Sequence, residues 1–169
     1  MVAALSVRVY TSTNAATESA AVTGIDFISA DNATNSSGNR TSNPVTVGTN
    51  SYEKHLRLKV DTSPANGVTN FLFWTDGAGT ANVGLRAKAA VGTGGATPGT
   101  GDTTPSTTSM TGDTDAYAAT SGAKVQWDSA SYVTQNNVTK ALLLQLQPTG
   151  SANPGNWTQE TINYSYDET

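Results

Sequence analysis

Short runs in which apolar and polar residues alternate recur along the chain, and alternation is the period of a strand with one buried face. Leu5, Val7 and Val9 point one way and Ser6, Arg8 and Tyr10 the other, which predicts a first strand over residues 5–11. Residues 22–28 predict a second, with Ile25 and Phe27 on one face and Asp26 on the other. A polar loop over 31–43 follows, and the Pro44-led stretch 44–47 is short enough for an edge strand or a bend. Residues 52–60 carry the best pattern of the first half. Leu56, Leu58 and Val60 share a face with Tyr52, while Glu53, His55, Arg57 and Lys59 share the opposite one, so a strand with one wet side is expected.

Residues 61–67 punctuate as a turn, and 68–74 are apolar on both faces, as a central strand would be, with Phe71 and Phe73 opposite Leu72 and Trp74. Over 82–90, Val83, Leu85, Ala87 and Ala89 point inward and Arg86 and Lys88 outward. Shorter alternating runs lie at 123–127 and 131–134. Two runs at 140–147 and 159–167, joined through a Pro/Gly/Asn connection, read as paired strands closing the fold. Leu142, Leu144 and Leu146 on one, and Ile162, Tyr164 and Tyr166 on the other, are their expected core-facing residues. About eight strands with frequent turn signals predict an all-β chain forming a single two-sheet antiparallel β-sandwich over 1–169, immunoglobulin-like or jelly-roll in topology.

Residues 92–114 interrupt this pattern. They are built of Gly, Thr, Pro, Ser and Asp, with Met110 almost their only large apolar side chain. Structureless connections longer than about 12–15 residues are uncommon inside a domain, so this one is expected to be an extended, mobile functional loop.

Composition strengthens the β reading. Thr is abundant, and its branched β-carbon suits a pleated sheet better than a helix. No apolar residue recurs at helical spacing, so no long helix is expected. With 9 Lys and Arg spread singly and a net charge of -4, the chain shows no basic stripe for neutralising phosphates, and nucleic acid is not an expected partner. No apolar run approaches the ~18 residues of a membrane span, and no charged segment followed by an apolar one opens the chain, so neither membrane insertion nor an export signal is expected. There is no cysteine, hence no disulfide or thiolate metal site. Six Asn-x-Ser/Thr triplets, at Asn32, Asn35, Asn39, Asn137, Asn156 and Asn163, are chance matches in so Asn-rich a sequence.

Candidate chemistry is thin. His55 is the only histidine, and it sits among charges on the expected solvent face. No Gly-x-Ser-x-Gly elbow accompanies it. Asp102, Asp113 and Asp115 offer oxygen ligands for calcium within the long loop, but no twelve-position calcium loop surrounds them. Asp76 before Gly77 reads as a turn residue, and Asp167 and Glu168 as a solvated end. The glycines over 92–101 lack the Lys-Ser/Thr of a phosphate loop. Among the aromatics, Tyr10, Tyr117, Tyr132, Trp127 and Trp157 are candidates for stacking on sugars or anchoring an interface. Trp74 and Trp127 are better placed in a core and Tyr164 and Tyr166 along a sheet, which leaves Trp157, in its Pro/Gly/Asn loop, as the best exposed anchor. No catalytic, cofactor-binding or metal-ligating residue is assigned.

Residues 50–60 and the closing 151–168, with Ala152-Asn-Pro-Gly155 before a last alternating strand, resemble the small β-sandwich structural proteins of tailed bacteriophages. The Ala-x-Pro-Gly segment is also similar to the turn into the final strand of immunoglobulin-like surface modules. The resemblance covers about half the chain, leaves out 92–114, and brings no catalytic residue with it. It implies a non-enzymatic virion component assembled in the host cytoplasm: a capsid decoration or cement protein bound to the major capsid protein, or a neck, tail or baseplate part. It also implies a homo-oligomer, a trimer being one such form, because decoration proteins often sit on local threefold axes. A carbohydrate-binding or adhesin module, motivated by Trp157, and a hydrolase are the competing readings.

Overall fold

A computed structural model describes residues 2–33, 36–64, 66–77, 79–96, 102–155, 157 and 159–169. Nine strands form two antiparallel sheets: β1 (Ala4–Thr11), β2 (Thr17–Glu18), β3 (Lys54–Thr62), β4 (Val68–Thr75), β5 (Val83–Val91), β6 (Thr114–Asp115), β7 (Val125–Asp128), β8 (Ala141–Pro148) and β9 (Ile162–Glu168). The larger sheet runs β2-β1-β3-β8-β5-β6 and the smaller β7-β4-β9, so the all-β sandwich is as expected. The one α-helix of the described residues, α1 (Ser37–Ser42), spans six residues within the polar loop, its first turn capped by the Ser36 hydroxyl.

The core lies between the sheets. Leu56, Leu58 and Val60 of β3, Leu142, Leu144 and Leu146 of β8, and Val83, Leu85 and Ala87 of β5 meet Phe71, Phe73 and Trp127 from the smaller sheet. Burial of each such side chain contributes on the order of 1.5–3 kcal/mol. β4 is central, as its two-faced pattern predicts, and a bulge at Asn70, whose φ is 53°, brings Val68 and Phe71 to the same inner face. Leu72 and Trp74 then point outward, where Trp74 is half-buried beneath the Lys124 ammonium, 4.3 Å from its ring centroid. Trp127 is in the core as expected; Trp74 is only partly buried, packed against the edge of that core on one side and beneath Lys124 on the other.

Several expectations need correction. β8 and β9 are not paired: β8 lies between β3 and β5, whereas β9 pairs with β4 in the other sheet. Thirteen residues separate them in sequence, more than a tight hairpin turn uses, and they lie in different sheets, which alternation within each run cannot reveal. Residues 22–28 form no strand; they run extended beside β1, tied by the Val22 amide to the Val7 carbonyl at 3.0 Å. Residues 44–47 bend rather than pair, and 131–134 hold a single bridge, Tyr132 to Val68.

The expected wet side of β3 is dry. Glu53, His55 and Arg57 are all buried, the last two completely. What covers them is the segment 102–113, which lies across the outer face of the larger sheet as a strap. The Glu53 amide donates to the Ser106 carbonyl at 3.0 Å. Buried Gln145 donates to the carbonyls of Ser51, Ser106 and Thr108. Met110 packs with Val91, Ala141 and Leu143 in a second small core. Residues 102–113 are therefore a fastened layer, not an excursion; residues 97–101 lie outside the described ones.

Candidate interaction cleft

The charged and aromatic residues singled out in the sequence serve mostly to fasten the sandwich. His55 is fully buried, its Nε2 3.2 Å from the Glu53 carboxylate and its Nδ1 without a hydrogen-bond partner. Arg57, also fully buried, donates to the carbonyl of Thr93 at 2.7 Å, to that of Thr139, and to the Asp102 carboxylate. Its guanidinium lies 5.4 Å from the ring centroid of buried Tyr10, whose hydroxyl donates to Glu18. Burial and that contact with Glu18 raise the Tyr10 phenol pKa well above its ordinary value. Burial also opposes ionisation of Glu18, yet hydrogen bonds from Lys59 and Tyr10 outweigh it and hold the carboxyl below the usual range.

The three loop aspartates do not converge. Asp102 faces Arg57, Asp113 lies 2.6 Å from Arg86, and Asp115 caps the Tyr117 amide at 3.1 Å. Among the described residues no three His, Cys, Asp or Glu side chains come together as a metal site. Asp128, which the sequence did not mark, is a buried hub: its carboxylate accepts from the Tyr132 hydroxyl at 2.6 Å and from the amides of Lys140 and Ala130. A carboxylate that ends a strand two residues before a small residue is too common a signal to have found it. Arg57 of β3, the cation beneath the strap, is visible in the sequence as a charge but not as a buried one.

Asp76 sits beside Glu160 rather than in an isolated turn. Burial, then the neighbouring Asp76 carboxyl, raise the Glu160 pKa, and its Oε1 accepts from the Gly77 amide at 2.8 Å. Tyr117 packs its ring where a Cβ on Gly79 would stand, and burial pushes its phenol up to about 12. At the C-terminus Asp167 and Glu168 are exposed as expected, and each also accepts a hydrogen bond, from Asn70 and from the Ala3 amide. Of the Asn-x-Ser/Thr triplets, the one at Asn137 runs into buried Val138 and Thr139; those at Asn32, Asn35 and Asn156 include positions outside the described residues, as does the glycine-rich 92–101.

What remains open is a cleft of about 1030 Å³ between the sheets. Its floor is the inner face of the larger sheet, with Leu5, Val7, Leu56, Val83, Leu85 and Leu146. Ile162 and Tyr164 of β9 wall one side, and the extended segment with Val22, Ile25 and Phe27 walls the other. The two sheets have unequal widths, so the three-stranded one ends before it covers β1. That is why Leu5, Val7, Ile162 and Tyr164 are only half-buried despite facing inward. Trp157 also lines the cleft, half-buried, with its indole N–H donated to the Asn153 carbonyl at 2.8 Å. It is thus part of a wall, not a ring displayed on a loop.

Its lining is largely apolar and aromatic, with Asp26, Arg40 and Glu160 as its charged members. Comparison of the chain with protein-family models, with curated proteins and with solved structures finds no match in any of the three.

Proposed function

We propose that the protein is a structural component of a tailed-phage particle, and within that class a decoration or cement protein on the capsid exterior. The sequence resemblance at 50–60 and 151–168 motivates the reading. The observation that carries it is how the polar side chains are used: Arg57, Asp102, Gln145 and Asp128 all fasten long connections to the sheets. A sandwich whose loops are pinned by buried ion pairs and amide forks presents a rigid surface, which is what lattice binding at many equivalent positions requires, since each flexible segment adds an ordering cost on association.

Purified particles provide the test. Mass spectrometry should find the protein in intact virions, and a reconstruction should place it over the major capsid protein; absence from washed particles overturns the proposal. Particles lacking it should break at lower temperature or milder osmotic shock. Density at the neck, tail or baseplate instead would assign it to those parts. A second reading, a carbohydrate-binding module, draws on the aromatic wall made by Trp157 and Tyr164. Glycan binding lost in Trp157→Ala would support it, and an empty glycan array would remove it.

A further inference from the structure

The free edge of β9 adjoins the cleft, and together they have the form of a sheet lacking one strand. β9 pairs with β4 on one side and, among the described residues, with no strand on the other. The Asp76 amide bonds the Thr161 carbonyl, and Trp74 is opposite Asn163, so alternation along an antiparallel ladder turns Asn163 and Ser165 toward β4. The backbone groups of Ile162 and Tyr164 consequently face the open edge, while their side chains line the cleft.

Natural sheets guard such edges with Lys, Pro or a bulge in the exposed strand. Ile162-Asn163-Tyr164-Ser165-Tyr166 has none of the first two and no charge at all. It is about 17 Å of strand with an apolar trough at its flank. Exposed carboxylates mark both ends: Asp76, beside the partly buried Glu160, before it, and Asp167 and Glu168 after it. The one cation in the cleft lining, Arg40, is matched by Asp26 at 2.7 Å.

We infer that this edge and cleft accept an extended segment of another protein, which adds as a strand beside β9, places alternate apolar side chains in the cleft and carries Lys or Arg at both ends. Main-chain hydrogen bonds would give affinity and the trough would select side chains, as in other strand-addition complexes. Charge argues for a basic partner over a second copy of this acidic chain. The inference rests on the edge and the cleft alone, so it stands or falls separately from the particle assignment.

The test uses the whole protein and a fluorescent peptide of alternating Val and Thr flanked by lysine pairs, with a glutamate-flanked twin. Anisotropy should show saturable binding of the lysine-flanked probe only. Hydrogen exchange read by NMR should show the Ile162 and Tyr164 amides newly protected, with Asn163 and Ser165 unchanged. The double variant Asp76→Lys, Asp167→Lys, at exposed positions and checked for native circular dichroism, should weaken the lysine-flanked probe by about tenfold and admit the glutamate-flanked one. Tyr164→Pro, which removes an edge N–H without touching the β4 ladder, should abolish binding. No binding at millimolar peptide, protection elsewhere, or indifference to charge reversal overturns the inference. Self-association that protects the same two amides without peptide overturns it too, since the occupant would then be a second copy.

Discussion

The Arg57 guanidinium and the Asp102 carboxylate, 45 residues apart in sequence, are both wholly buried and bonded to one another between β3 and the strap. Truncating either leaves the other as an unpaired charge in a dry site, a change that typically costs about 3–5 kcal/mol. Asp102→Ala and Arg57→Ala should each destabilise the protein by that order in urea denaturation. The double variant should cost clearly less than the sum of the two. Additive losses would mean that the pair is not coupled.

Gly92 and Gly94 are the backbone counterpart of this pairing. Gly92 has φ 70°, and a Cβ there would overlap the Asp102 carboxylate; a Cβ on Gly94 would overlap the Tyr132 hydroxyl. Gly92→Ala should therefore lose about 1–3 kcal/mol by thermal melting, from left-handed strain together with displacement of the carboxylate. Gly122→Ala, at a position with open space and no positive φ, is the control and should stay within about 0.5 kcal/mol of wild type.

The strap's far end is fixed by Asp113 and Arg86. Burial opposes ionisation of Asp113, yet the hydrogen bond from Arg86 wins and holds its pKa below the ordinary carboxylate value. A carboxyl depressed by folding contributes stability that is fully present above its unfolded pKa and is lost as pH falls through the folded one. Asp113→Asn should accordingly lower stability at pH 7 by about 1 kcal/mol, with a gap that narrows as pH falls through the folded pKa. An equal gap at pH 7 and pH 2.5 would assign the loss to packing instead.

Glu160 has the opposite sign. Burial and Asp76 raise its pKa, so ionisation of the folded form is penalised: its contribution is fully present below the ordinary 4.5 and is lost as pH rises through the folded value. Glu160→Gln keeps an acceptor for the Gly77 amide without the charge. It should stabilise the protein at pH 7 by at most about 1 kcal/mol, with no gain at pH 3. Destabilisation at both pH values would refute the assigned sign.

How much of this was legible in the sequence depended on distance along the chain. Alternation correctly oriented Leu56, Leu58, Leu142 and Leu144, because side-chain direction within a strand is local. It failed on what lay above β3, since a period of two distinguishes the faces but not which face is covered, and the cover comes from residues 102–113. Likewise β8 and β9 looked like partners because they are neighbours in sequence. The cleft is legible only in retrospect, as apolar positions on 22–28 that pair with no strand.

Gln145 offers the most direct handle on the strap. Its side-chain amide donates to three carbonyls, those of Ser51, Ser106 and Thr108, at 3.0–3.3 Å, and it is completely buried in the middle of the larger sheet. Gln145→Leu keeps the volume but takes this donor from all three carbonyls, of which that of Ser106 keeps the Glu53 amide, at a cost of about 1–3 kcal/mol for buried groups. Because two of the three belong to the strap, the loss should fall there and not across the sandwich. Limited proteolysis is the measurement: 102–113 should resist cleavage in the wild type and be cut first in Gln145→Leu, before any site in β3 or β8. If cleavage begins in the sheets, or if both proteins are nicked in the strap at the same rate, Gln145 does not hold it down. Gln145→Glu separates the donor from the shape, since it preserves size but brings a carboxylate against three carbonyl oxygens, and it should open the strap further than leucine does.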